Sequence, residues 1–269
     1  TLRPAPAYLP RTPTRKGPAM DAHDLLIDLH RDGIRQGPGG NDETRLAVTL
    51  SGLRDTRGLR IADIGCGTGA ATRVLATELD AAITAVDLMP AFLDELTRLA
   101  RAEGLGDRIT PLAASMEALP FDPQSLDAIW SEGAIYSMGF AEGVQAWRQF
   151  LKPGGVLAVS DLTWLTTDRP ADLHDHWTRE YPQVATAAEK LATLEQAGYS
   201  PLGYFPLPAR CWLDTYYRPL QARFGDFLSR NSNSDRAQAV VAAERQEIAL
   251  YERNTEHVSY GYYVARRIG

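Results

Sequence analysis

An acid and three glycines stand at one turn of this chain, in the run Asp63-Ile64-Gly65-Cys66-Gly67-Thr68-Gly69. The apolar residues 59–64 predict a short buried strand before the turn, and residues 70–79 predict a helix whose amino end faces it. Glycines at alternate positions let a backbone turn sharply and approach a ligand without a Cβ in the way. Gly69 is expected to add room for a bulky headgroup, so the turn predicts a small-molecule site.

The glycines alone fit two kinds of ligand, because residues 65–70 also satisfy the relaxed dinucleotide fingerprint with alanine last. Asp63 argues against a pyrophosphate, since a carboxylate repels phosphate oxygens but suits an ammonium group. The predicted second strand, residues 81–87, ends in Asp87, which could accept hydrogen bonds from two ribose hydroxyls. A ligand made of an amino acid joined to a nucleoside would suit both acids, with its ammonium group near Asp63 and its ribose near Asp87. An NAD-dependent oxidoreductase stays open as the alternative.

Three later segments follow the glycine turn and the second strand in a characteristic order. They are Ala114-Ser115-Met116-Glu117-Ala118-Leu119-Pro120-Phe121, Ser125-Leu126-Asp127-Ala128-Ile129-Trp130-Ser131 and Phe150-Leu151-Lys152-Pro153-Gly154-Gly155-Val156-Leu157. Over roughly residues 58 to 161 the sequence resembles the class I S-adenosylmethionine-dependent methyltransferases. In that family the three segments line the adenine, form the fourth strand and turn into the fifth. The small-molecule branch, in the style of quinone-biosynthesis C-methyltransferases, is the most similar.

The resemblance implies an α/β fold with a Rossmann-like sheet, mostly parallel with an antiparallel edge strand, and a helical substrate cap. It also implies S-adenosylmethionine as the cofactor and S-adenosylhomocysteine as the product. The implied cofactor-binding residues are Gln36, Asp63, Gly65, Cys66, Gly67, Gly69, Asp87, Leu88, Ser115, Met116, Glu117 and Ser131. The chain departs from the family at the adenine, where an acid is common and Ser115 followed by Met116 stands here. A non-catalytic module that binds the same cofactor is a further alternative, because a fold does not fix a function.

Composition narrows the classes of partner. The chain has 269 residues, 44% of them hydrophobic, and a net charge of −6 without a long basic stripe, which argues against nucleic acid as a partner. Its two cysteines, Cys66 and Cys211, have no partners at metal-ligand spacing, so we expect no metal and a reducing cytoplasm. No segment approaches the apolar length of a membrane helix. We therefore expect a soluble, cytoplasmic protein that acts on a small molecule.

The order of elements predicts four parts. Residues 1–20, with five prolines, predict a flexible N-terminal arm, and residues 21–57 predict a helical lid. Residues 58–165 predict the cofactor-binding α/β core. Residues 166–269 predict the C-terminal half of the core, with cap helices inserted at about 210–255 and a closing strand. Arg35-Gln36-Gly37-Pro38-Gly39 could belong to the lid over the cofactor or form a plain turn between helices.

Methyl transfer from a sulfonium is an in-line displacement, so the protein mainly aligns two reactants and no metal is required. Three residues are candidates for the acceptor side. Glu132 follows a buried strand and could accept a hydrogen bond from the acceptor or hold a cationic one, although an ion pair with an arginine of the cap would explain it equally. Tyr136 could orient the acceptor or simply pack. His174 could be a general base or a surface residue, and its spacing from His176 argues against a shared metal.

Aromatic residues are abundant after the predicted core sheet. A pocket for an aromatic or apolar acceptor would need such side chains, but core packing would need them as well. The residues concerned are Trp164, Trp177, Tyr181, Trp212, Tyr216 and Tyr217.

Overall fold

The structure, a computed structural model, describes residues 22–269. The predicted N-terminal arm, residues 1–20, therefore lies outside the described residues. Within the described range the α-helices are α1 (Ala22–His30), α2 (Asn41–Ser51), α3 (Ala70–Glu78), α4 (Pro90–Ala102), α5 (Phe140–Trp147), α6 (Ala171–Glu180), α7 (Ala187–Gln196), α8 (Ala209–Trp212), α9 (Arg218–Ala222), α10 (Phe224–Arg230) and α11 (Asp235–Arg253). The strands are β1 (Leu59–Ile64), β2 (Ala81–Asp87), β3 (Ile109–Ala113), β4 (Leu126–Glu132), β5 (Leu151–Trp164), β6 (Ala185–Thr186), β7 (Tyr199–Pro206) and β8 (Val258–Arg267).

The strands form one sheet in the order β3-β2-β1-β4-β5-β8-β7, and the short β6 pairs with the end of β5. β1 to β5 run parallel in their pairings, whereas β8 is antiparallel to both β5 and β7. The predicted α/β class, a Rossmann-like sheet with an antiparallel pair at one edge, is confirmed. β1 lies between β2 and β4, so the carboxyl ends of β1 and β4 flank the topological switch point, where open α/β sheets bind ligands.

The apolar runs that predicted the strands are buried because helices cover both faces of the sheet. Five of the six residues of β1 are buried, and so are the last ten residues of β5. Strands covered on both faces form continuous apolar runs rather than alternating ones. The core therefore sits on both sides of β1, β4 and β5, and it fixes the positions at which their carboxyl ends meet.

The cap helices predicted at about residues 210–255 are interrupted near their start in the structure. A π-helical stretch, Leu213–Tyr217, separates α8 from α9, and Arg223 separates α9 from α10. Pro219 has no N–H to donate to the carbonyl of Thr215, which accounts for the loss of regular α-helical hydrogen bonding at this point. The helix α7 begins at residue 187, because the two residues before it, 185–186, pair with β5.

The last two long strands are neighbours in the sheet although a long segment separates them in the sequence. β7 and β8 pair in antiparallel fashion, as expected for the edge of the sheet, while α8 to α11 lie between them in the sequence. α1 packs against α10 and α11, so the N-terminal helix and the inserted helices form one helical layer. Among the described residues, no helix combines the length and the apolar character needed to cross a bilayer.

Candidate active site

The turn after β1 owes its shape to glycines in the left-handed region. The φ angles of Gly65, Gly67 and Gly69 are +72°, +54° and +79°, a region that residues with a Cβ rarely adopt. A Cβ on Gly65 would overlap the Cβ of Ala134, and one on Gly67 would overlap the Gln36 side chain. The glycines therefore let the segments that close the site pack directly onto the turn.

Gly69 plays a different part from the one expected. A Cβ at this position would overlap the Leu96 side chain of α4, so the missing Cβ makes room for that helix and not for a ligand headgroup. Gly69 is also absent from the lining of the cavity described below. Its role is to start α3 with a left-handed residue beneath α4.

Asp63 lies in β1 at the edge of this turn. The residue is 1% exposed, and its Oδ2 accepts a hydrogen bond of 2.6 Å from the Thr72 hydroxyl. Burial raises the pKa of its carboxyl to about 7; the Thr72 hydrogen bond and the charge of Arg35 oppose this rise, and the charges of Glu132 and Asp87 add to it. A buried carboxylate of this kind gains from a cation placed beside it.

Asp87 ends β2 and is held by the backbone on both oxygens. Its Oδ2 accepts from the Gly67 N–H and its Oδ1 from the Met89 N–H, each at 2.9 Å. Burial raises the pKa of this carboxyl, and the backbone hydrogen bonds partly oppose the rise. Two fixed donors hold the carboxylate in one orientation at the rim of the turn.

The segment 35–39, for which a lid over the cofactor and a plain turn are both open, contacts the glycine turn through Gln36. The Gln36 Oε1 accepts from the Thr68 N–H at 3.0 Å, while its Nε2 donates to the Gly33 carbonyl at 2.8 Å. Arg35 Nη1 lies 2.9 Å from Glu132 Oε2. The side chain of Gln36 is thus a fixed bridge between the lid and the turn.

Glu132 is fully engaged in the structure. Besides Arg35, its carboxylate accepts from the Thr44 hydroxyl at 2.6 Å, the Tyr262 hydroxyl at 3.0 Å and the Trp130 indole at 3.4 Å. The ion-pair interpretation of Glu132 therefore describes the geometry, except that the arginine comes from the lid and not from the inserted helices. A carboxylate with four donors is poorly placed to act as a free base.

A first cavity of about 640 Å³ opens at the carboxyl ends of β1, β2 and β4. Ten of the twelve predicted cofactor-binding residues line it, together with Arg35, Glu132 and Tyr136. The ten are Gln36, Asp63, Gly65, Cys66, Gly67, Asp87, Leu88, Ser115, Met116 and Glu117. The structure thus brings most of the predicted set around one space.

Ser131 and His174 fall outside this space. Ser131 is fully buried in β4, and its hydroxyl has no hydrogen-bond partner among the described residues. His174 is exposed on α6 and stacks on Trp164 with 5.9 Å between the ring centroids. Neither side chain lines a cavity of the site. Of the two interpretations of His174, a general base or a surface residue, the structure agrees with the surface residue.

A second cavity of about 170 Å³ adjoins the first. Six residues line both cavities, namely Gln36, Gly37, Pro38, Phe92, Gly133 and Tyr136. The remaining wall comes from Met89, α1, the end of β5, α6, the π-helical stretch and its neighbours, α11 and β8. Tyr136 therefore stands at the junction of the two spaces, where burial raises the pKa of its hydroxyl and keeps it protonated.

Four of the six aromatic residues noted in the sequence line the second cavity: Trp177, Tyr181, Trp212 and Tyr216. Trp164 and Tyr217 pack elsewhere. Sequence reasoning missed His30, Glu247 and Tyr260 in the same wall. A signal for the acid existed, because Glu244 and Glu247 interrupt the stripe of buried residues on α11.

Known proteins identify this arrangement. Residues 61–155 match the family model described as a methyltransferase domain. A 27-O-demethylrifamycin SV methyltransferase from Amycolatopsis mediterranei is 28% identical over 71% of this chain and 75% of its own length. A malonyl-[acyl-carrier protein] O-methyltransferase from Dechloromonas aromatica is 32% identical over 49% of this chain, which spans less than half, 46%, of that relative. An S-adenosylmethionine-dependent methyltransferase structure from Geobacter sulfurreducens, in complex with S-adenosylhomocysteine, shares the fold with a TM-score of 0.77 and 19% identity, covering 90% of this chain and 96% of the other.

The fold, the glycine turn and these relatives together define a transferase that uses a sulfonium methyl donor. Residues 61–155 are thus a methyltransferase domain, and the comparisons support a class I S-adenosylmethionine-dependent methyltransferase with S-adenosylmethionine as its cofactor. Nothing in the relatives favours the nicotinamide alternative.

Proposed function

We propose that the chain binds S-adenosylmethionine in the first cavity and transfers its methyl group to an apolar small molecule held in the second. The observation that carries this proposal is the junction of the two cavities, where six residues line both. A donor on one side and an acceptor on the other would meet beside Tyr136. The Amycolatopsis relative, named for a small-molecule acceptor, supports an acceptor of that general kind.

The first cavity offers a complementary group for each part of the cofactor. We assign Asp63 to the ammonium group, because this buried carboxylate gains most from a positive neighbour. We assign Asp87 to the ribose hydroxyls, since two backbone donors leave its remaining lone pairs fixed toward the cavity rim. Arg35 offers the only guanidinium in the described lining and suits the carboxylate end. Ser115, Met116 and Glu117 then border the adenine.

The cofactor supplies a methyl group on a positively charged sulfur, which is already activated for displacement. The protein therefore contributes mainly by alignment and by excluding water, and alignment alone can supply on the order of 7–11 kcal/mol. Gln36 keeps the lid over the turn through the Thr68 N–H. Tyr136 borders both spaces, and we assign to it the positioning of the acceptor.

Apolar and aromatic side chains make up most of the second wall, which supports an acceptor with an aromatic or apolar body. The expectations of a cytoplasmic setting and of no nucleic-acid partner rest on the two cysteines and the net charge of −6. They remain predictions from the sequence.

Isothermal titration calorimetry with S-adenosylhomocysteine tests the proposal first. We expect binding by the full chain and none of comparable strength with NADH. The second step incubates the protein with methyl-labelled S-adenosylmethionine and a panel of apolar hydroxyl and amine compounds, followed by extraction into organic solvent. Absence of S-adenosylhomocysteine binding at millimolar concentration would contradict the donor site, and binding without any labelled product would favour the non-catalytic alternative.

A further inference from the structure

Two glutamates of α11 are buried beside the second cavity. Glu244 is 1% exposed and Glu247 is 7% exposed, and Glu247 lines the cavity. The Tyr217 hydroxyl donates to Glu247 Oε1 at 3.0 Å, and His30 Nε2 lies 3.8 Å from Glu244 Oε1. Within residues 22–269, no lysine or arginine forms an ion pair with either carboxylate. A buried carboxylate without a cationic partner is costly, so each of these two acids would gain from a positively charged neighbour.

His30 adds a second polar group to the wall of this cavity whose hydrogen-bonding capacity is not used. It lines the same cavity at 9% exposure, its ring stacks on Tyr216 at 5.9 Å, and its Nδ1 has no hydrogen-bond partner among the described residues. Glu244 Oε2 is likewise buried without a partner. Buried polar atoms are nearly always hydrogen-bonded in native proteins, and exceptions call for an explanation.

The rest of the wall favours a positive ligand. Aromatic rings dominate it, namely Phe92, Tyr136, Trp177, Tyr181, Trp212, Tyr216 and Tyr260. Glu180 is a second acid of the wall, but it is paired with Arg179 at 3.1 Å. The described lining includes no lysine and no arginine. Aromatic rings together with an unpaired carboxylate attract cations and disfavour carboxylate or phosphate ligands.

We propose that the second cavity receives the methyl acceptor as an ammonium cation, with Glu247 as its counter-charge, so that the methyl group is transferred to nitrogen. This inference rests on the proposed function of the two cavities. It narrows the acceptor from any apolar small molecule to an amine with an apolar or aromatic body.

The proton balance of such a transfer gives Glu247 a second role. The ammonium group loses one proton to the Glu247 carboxylate, and the neutral nitrogen uses its freed lone pair to bond to the methyl carbon. The methyl–sulfur bond breaks with its electron pair staying on sulfur, and the positive charge passes to the methylated nitrogen. Burial and the charge of Glu244 raise the pKa of the Glu247 carboxyl to about 8, closer to that of an amine and therefore suited to this exchange.

The test measures recognition of charge with a pair of probes of nearly the same shape. The full chain, saturated with S-adenosylhomocysteine, is titrated calorimetrically with 3-hydroxyphenyltrimethylammonium and with its neutral carbon analogue 3-tert-butylphenol. We expect the cation to bind about tenfold more tightly than the neutral compound. In Glu247→Gln, which can still accept the Tyr217 hydrogen bond, we expect that preference to disappear while 3-tert-butylphenol binding stays unchanged.

Glu252→Gln is the matched control, since Glu252 is an exposed residue on the same helix, and it should keep the full preference. Equal binding of the two probes by the wild-type chain, no binding of either, or an undiminished preference in Glu247→Gln would each overturn the proposal. Titration of every variant with S-adenosylhomocysteine separates this outcome from a failure of the donor site. Thermal unfolding of each variant shows that the chain is folded.

Discussion

Arg35 and Glu132 join the lid to the end of the central sheet through an ion pair of 2.9 Å in which each side chain is 8% exposed. Arg35 Nη2 also donates to Asn41 Oδ1 at 3.1 Å, so the guanidinium connects the loop, α2 and β4. Because both partners are buried, removing either one leaves a charge without compensation. The segment around Arg35 is therefore held against α2 and the end of β4 by buried contacts.

We expect Arg35→Met to lower the free energy of unfolding by about 3–5 kcal/mol, because Glu132 would stay buried and unpaired. The double variant Arg35→Met/Glu132→Gln should recover part of this loss. Urea denaturation followed by circular dichroism measures both. Arg98→Ala, which breaks an exposed pair with Glu95, is the control and should change stability by about 1 kcal/mol or less. A similar small effect for Arg35→Met would mean that the buried pair does not stabilise the lid.

The pKa of Asp63 predicts two opposite pH dependences. Its carboxyl is raised to about 7, so the empty site loses its negative charge below that pH, and affinity for the ammonium end of S-adenosylhomocysteine should rise between pH 6 and pH 8. The folding stability of the protein without cofactor should change in the opposite direction. The contribution of the protonated Asp63 carboxyl to stability is complete below its ordinary pKa of 3.8 and is lost as pH rises through about 7.

Two measurements at pH 6 and pH 8 check these pH dependences on the wild type and on Asp63→Asn. Calorimetry gives the affinity for S-adenosylhomocysteine, and urea denaturation gives the free energy of unfolding. Asp63→Asn should flatten both pH dependences, because the amide does not titrate. An affinity that changes equally with pH in the two proteins would remove Asp63 from the ammonium site.

Asp87→Asn should weaken S-adenosylhomocysteine binding by about tenfold or more, since the amide replaces a charged acceptor that we assign to the ribose hydroxyls. Calorimetry measures the change. Asp94→Asn provides the comparison, because Asp94 is exposed on α4 and absent from the cavity lining. Equal affinities in Asp87→Asn and the wild type would reject the ribose assignment.

Gly69→Ala should destabilise the fold by about 1–3 kcal/mol, because alanine must adopt a φ of +79° and its Cβ would overlap Leu96. Gly225→Ala is the opposite case: the glycine lies in α10, and an added Cβ meets nothing within 4 Å. That change should stabilise the chain by about 0.5–1 kcal/mol through helix propensity. Thermal unfolding of the two variants side by side tests the difference, and a shift of the same sign in both would refute it.

Local patterns were sufficient to predict the elements that carry the donor site. The apolar run of β1, the glycine turn and the acid at the end of β2 lie within 29 residues, and parallel topology brings them to one edge. The strands β1 and β2 were predicted with the observed bounds. The role of Gly69 could not be predicted, since it depends on Leu96 of a helix that packs over the turn.

The second cavity depends on contacts between residues far apart in the sequence. His30 and Glu247 meet one cavity although 217 positions separate them. The arginine that neutralises Glu132 is likewise remote, and no local pattern distinguishes it from other lid residues. The π-helical stretch before Pro219 also alters which side chains of this region face inward, which a regular helical period does not anticipate.

The placement of α8 to α11 between the paired strands β7 and β8 has a consequence for how this protein can diversify. Fifty-one residues, 207–257, leave the sheet and return to it, and the entropy of closing such an excursion grows only logarithmically, by about 0.6 kcal/mol for each doubling of length. Changes in the length of this excursion should therefore alter the loop-closure contribution to the free energy of folding very little. Under the function proposed above, changes in this excursion would reshape the acceptor cavity and leave the residues proposed to bind the methyl donor in place.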